Sequence, residues 1–69
     1  MPKVIAQRSN SDIFLIQTSE DKGRIADFEE GKYWPEFNVQ SIIARGYWKE
    51  YIGSETDVLD RLSQLKDEQ

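Results

Sequence analysis

The sequence predicts an α+β domain: a small antiparallel sheet of three to four strands, a short middle helix, and a C-terminal amphipathic helix packed on one face. Three observations predict it. Two apolar, β-branched runs near the start are joined by turn residues. Four apolar residues near the end, Val58, Leu59, Leu62 and Leu65, repeat at helical spacing. Between them, six of the eight aromatic residues, Tyr33, Trp34, Phe37, Tyr47, Trp48 and Tyr51, fall in one short window. Rings of that size supply either core or a partner-facing patch.

Taken in order, Lys3–Gln7 and Ile13–Thr18 read as a hairpin across Arg8-Ser9-Asn10-Ser11-Asp12, where Asn tolerates a left-handed backbone and Ser and Asp bond local main chain. Ile13-Phe14-Leu15-Ile16 is apolar on both parities, as expected of a central strand covered on both faces. Gly23 is read as a break, after which Arg24–Phe28 forms a third strand. Glu29–Lys32 is a turn, and Tyr33-Trp34 extends the sheet briefly before Pro35 ends it. Asn38 suits a helix N-cap, with Phe37 and Ile42 at the staple positions around it. The helix Val39–Arg45 then stops at Gly46. Tyr47–Ile52 reads as a strand, Trp48 and Ile52 on one side and Tyr47 and Tyr51 on the other. Ser54 caps the last helix, and Glu55 and Asp57 suit its positive end. The tail Lys66–Gln69 is expected to fray.

A chain of 69 residues makes one domain, 1–69, near the lower limit for autonomous folding. It has neither cysteine nor histidine. Disulfides, the usual zinc ligands, a Cys nucleophile and a Ser-His-Asp triad are therefore excluded. The four glycines are scattered, so no phosphate-cradling loop is present, and the acids match no calcium-loop spacing. No cofactor or metal is expected, and so small a chain offers little room to enclose a substrate. The expectation is a protein that is not an enzyme.

Net charge is −4, with acids concentrated in Ser19–Phe37 and Gly53–Gln69. That balance opposes nucleic-acid phosphate. No apolar run reaches a membrane span, and the N-terminus lacks a signal stretch, so the chain is expected to be cytoplasmic and unprocessed.

The aromatic window has two readings. In one, Trp34, Phe37 and Trp48 are core, packed against Leu59 and Leu62. In the other, Tyr47, Tyr51 and Tyr33 occupy an exposed sheet face edged by Lys32, Arg45 and Lys49, a composition favoured at binding hot spots. The expected partner-binding residues are Tyr33, Tyr47, Tyr51, Arg45 and Lys49, and the expected function is a cytosolic interaction module that binds a protein partner. Single-stranded nucleic acid on the same face, an acidic decoy of a basic partner, and a homodimer through the leucine stripe are the alternatives.

Overall fold

The structure, a computed structural model, describes residues 2–67. It is α+β, with a mixed sheet of seven strands and two small helices among the described residues. The hairpin forms as expected: β1 (Lys3–Arg8) pairs antiparallel with β2 (Ile13–Gln17), and Asn10 in the turn takes φ 57°. β3 (Lys22–Asp27) lies antiparallel on the other side of β2.

Gly23 does not break the chain; it lies inside β3. A Cβ there would meet the Ile16 carbonyl oxygen and Val39 Cγ2, both at 2.7 Å, so this glycine marks a close approach of two segments.

Beyond β3 the sheet departs from the expected three or four strands. β4 (Lys32–Tyr33) and β5 (Phe37–Asn38) both pair with β3, one at each end, and Trp34-Pro35-Glu36 separates them. Proline has no amide hydrogen for a ladder, so this edge is held in two short pieces. α1 (Val39–Ile43) follows at once, with the Asn38 side chain accepting hydrogen bonds from the Gln40 and Ser41 amides. It is shorter than the expected Val39–Arg45, ending in turns that lead to Gly46 at φ 81°.

β6 (Trp48–Glu50) is also shorter than expected and lies antiparallel on the outer side of β1. α2 (Glu55–Arg61), capped by Ser54, runs into a 3-10 turn at Leu62–Gln64. Lys66–Asp67 was expected to fray; instead it forms β7, parallel to β4, so the sheet is mixed rather than antiparallel. The Arg24 guanidinium pairs with Asp67 beside that contact. The rest of the expected frayed tail, 68–69, lies outside the described residues.

The two helices do not share a face. Opposed residues in an antiparallel ladder point to one side, so the register assigns each side chain. Val4, Phe14, Ile16 and Ala26 form one buried cluster with Val58, lined by Phe28, Tyr33, Tyr51, Leu59, Leu62 and Leu65. Ala6, Leu15 and Val39 form another, with Ile5, Ile25, Phe37 and Trp48. β1 serves both because its register with β2 shifts between Val4, opposite Ile16, and Ala6, opposite Leu15. That bulge at Ile5 turns Ala6 and Arg8 to the α1 side.

The assignment of Trp34, Phe37 and Trp48 to a core beneath Leu59 and Leu62 is corrected in the same way. Phe37 and Trp48 pack on the α1 face, opposite those leucines. Trp34 belongs to neither cluster; it is half-buried, with the Lys32 ammonium 5.0 Å from the ring centroid. No described helix is long and apolar enough to cross a membrane.

Candidate functional site

α2 and the 3-10 turn seal one face of the sheet with four apolar side chains, Val58, Leu59, Leu62 and Leu65. α1 covers the other face with far less, since Val39 alone of its residues joins the apolar cluster there. What α1 leaves open is a groove of about 200 Å³ lined by Arg8, Ile25, Ile42, Arg45, Tyr47 and Trp48.

Each wall has a local cause. Arg8 stands directly opposite Trp48 in the β1–β6 ladder and points to the same side. Ile25 lies opposite Leu15, so it continues the floor from the buried cluster. Ile42 comes from the last turn of α1, and Gly46 lets the chain reverse into β6, carrying Arg45 and Tyr47 over the opening. The Tyr47 carbonyl accepts a hydrogen bond from the Ser9 amide at 3.1 Å, which ties this corner to the β1–β2 turn. Tyr47 is 59% exposed although it carries a large ring.

The electrostatics are those of a cationic, apolar slot on an acidic chain. The Arg8 guanidinium carbon lies 5.6 Å from the Tyr47 ring centroid, within cation–π range. The ion pairs among the described residues are Arg24 with Asp67 and Arg61 with Asp12. Arg8 and Arg45 take part in neither. Glu50 lies two residues beyond Trp48 on the same side of β6, yet forms no ion pair with either arginine. A second hollow of about 350 Å³ runs from Arg8 and Ser9 along Lys49 and Ile52, so Arg8 borders both.

The structure divides the five expected partner-binding residues. Tyr47 and Arg45 meet at the groove. Tyr33 and Tyr51 lie on the opposite face, half-buried against the Val58 cluster. Tyr51 packs edge-on to Phe14 at 5.2 Å between ring centroids, and its hydroxyl donates to the Ser54 carbonyl at 3.0 Å. Tyr33 sits beneath Arg24, whose guanidinium carbon is 3.8 Å from the ring centroid. Lys49 is exposed, opposite Gln7, and points to the α2 side. Lys32 is drawn to Trp34 rather than to the tyrosines.

Arg8, Ile25, Ile42 and Trp48 complete the groove and were not among the expected site residues. Arg8 looked like a turn residue and Trp48 like core. Their meeting depends on the β1–β6 register and on the bulge at Ile5, neither of which a single strand's pattern carries.

Among the described residues no group of three or more acidic side chains is placed to hold a metal ion. The chemistry on offer at the groove is recognition: guanidinium donors for a carboxylate and ring or aliphatic walls for an apolar side chain. No family model, no curated protein and no solved structure matches the chain.

Proposed function

We propose that this chain is a non-enzymatic, cytosolic binding module that holds an acidic, apolar segment of a partner protein in the groove between α1 and β6. The observation that carries the reading is the pair Arg8 and Arg45, neither of them in an ion pair among the described residues, at the rim of an apolar floor of Ile25, Ile42 and Trp48. A chain of net charge −4 that leaves two arginines outside its ion pairs at one concavity, among the described residues, is complementary there to negative charge. Exposed Tyr47 and half-buried Trp48 belong, with arginine, to the side chains that anchor interfaces.

The test is selection of a displayed random-peptide library on the immobilised chain, followed by titration of the enriched peptides against Trp48 fluorescence. Peptides mixing Asp or Glu with Leu, Ile or Phe are expected. Arg8→Glu and Arg45→Glu are each expected to weaken them about tenfold or more, as for loss of a charge-assisted contact, with the unfolding midpoint unchanged. Enrichment of basic peptides, or acidic peptides indifferent to both substitutions, refutes the reading. Quenching of Trp48 by a mixed-sequence single-stranded oligonucleotide but by no peptide would favour nucleic acid instead.

A further inference from the structure

We propose, resting on the groove reading above, that the bound segment is held extended and joins the sheet as an added strand along the outer edge of β6. Sheet order places β6 at one end, with β1 on its inner side. The Ser9 amide donates to the Tyr47 carbonyl, and the register pairs Arg8 with Trp48, Gln7 with Lys49 and Ala6 with Glu50. In an antiparallel ladder the residues that exchange hydrogen bonds alternate. Tyr47 and Lys49 therefore turn their main-chain groups toward β1, while Trp48 and Glu50 turn theirs outward. No hydrogen bond within the described residues engages those outward groups. They form a two-rung template for a visiting strand.

Trp48 joins the two features. Its ring lines the groove while its amide and carbonyl lie on the edge, so one segment can use both. The edge also specifies what the segment carries. A residue facing Lys49 on the α2 side is favoured as Asp or Glu, one facing Trp48 as apolar, and one facing Glu50 as anything but an acid.

A second copy of the chain fits this edge poorly. Two-fold pairing that uses both rungs centres on Lys49 and sets Lys49 against Lys49 of the other copy. Shifting it one way sets Glu50 against Glu50. Shifting it the other way sets Trp48 against Trp48 but runs into Gly46, whose φ of 81° is outside the strand range. Like charges directly opposed destabilise a pair, so the occupant is a different chain.

The experiment takes an acidic, apolar peptide from the library selection and measures amide hydrogen exchange of the full chain with and without it. Exchange at Trp48 and Glu50 is expected to slow about tenfold or more, while Lys49, already bonded to β1, changes little. Two affinity measurements accompany it. Glu50→Pro removes one outward donor at an edge position where proline is tolerated, and is expected to cost about tenfold in affinity. N-methylation along the peptide, which leaves the protein untouched should the proline variant fail to fold, is expected to weaken binding at alternate residues only. Binding that stays sensitive to Arg8→Glu but shows flat exchange and a flat methylation scan overturns strand addition and leaves the groove reading standing. No acidic, apolar peptide bound at all removes both. A dimer in sedimentation that Glu50→Pro converts to monomer would put a second copy on the edge and overturn the proposal.

Discussion

Arg24 lies across the Tyr33 ring and donates to the Tyr33 and Trp34 carbonyls, so one guanidinium joins β3, β4 and the break at Pro35. Burial pushes the Tyr33 phenol above its ordinary 10.0; Arg24 pulls it down, and Asp67 and Glu36 push it up. A folded-state pKa above the unfolded one means that the unfolded chain loses its proton first as pH rises. The contribution of a neutral Tyr33 is thus complete below pH 10.0 and is lost as pH climbs through the raised value. Phenolate absorbance is expected to show a late step from Tyr33. Tyr33→Phe should abolish that late step and flatten the loss of stability above pH 10.0; an unaltered alkaline curve would contradict it. At this scale much is legible beforehand. Asn10 in a left-handed turn, Asn38 and Ser54 as caps and Gly46 at positive φ follow from local main-chain chemistry alone. The environment of Tyr33 and Tyr51 does not, because it is made by Arg24, Phe14 and Ser54.

Elements are less completely legible than caps. β2 reads as doubly covered because both its parities are apolar, and Phe14 and Ile16 do face one cluster while Leu15 faces the other. α2 reads from its stripe. β5 and β7 have two residues each and no pattern of their own; they exist because β3 and β4 present edges to them. Gly23 belongs here too, since it is the contact between β3 and α1 and not a local break. Gly23→Ala would drive a methyl group against the Ile16 carbonyl and Val39, atoms already 2.7 Å from its ideal position. The carbonyl is main chain in a central strand and cannot swing away. A cost of about 1–3 kcal/mol is expected from such overpacking, read as a lower urea midpoint. An unchanged midpoint would mean that α1 can lift off β3 freely.

The whole molecule rests on a thin double core, with one cluster on each side of β2. Leu15 and Ile16 are its largest fully buried side chains, each at 0% exposure and each in a different cluster. A domain of this size commands roughly 3–5 kcal/mol in all. Leu15→Ala, at about 2–5 kcal/mol, is therefore expected to leave much of the chain unfolded at room temperature by far-ultraviolet circular dichroism. Tyr47→Ala, at an exposed ring, should stay within about 0.5 kcal/mol of wild type. A folded Leu15→Ala, or an unfolded Tyr47→Ala, would invert the division between core and contact surface.

By itself the sequence determined the α+β class, the first hairpin, the doubly covered second strand, both helix caps and the stripe of the last helix. Each of these depends on neighbours within a few residues, whose periodicity and turn chemistry are local. Only the tertiary structure decided that the helices take opposite faces, that the sheet gains a parallel strand, and that Arg8 stands beside Trp48, Tyr47 and Arg45 instead of in a turn. Those outcomes hang on a one-residue bulge at Ile5 and on ladder register between segments some forty residues apart, as Arg8 pairs with Trp48. A shift of one residue sends every later side chain to the other face, and no pattern within a single segment records it.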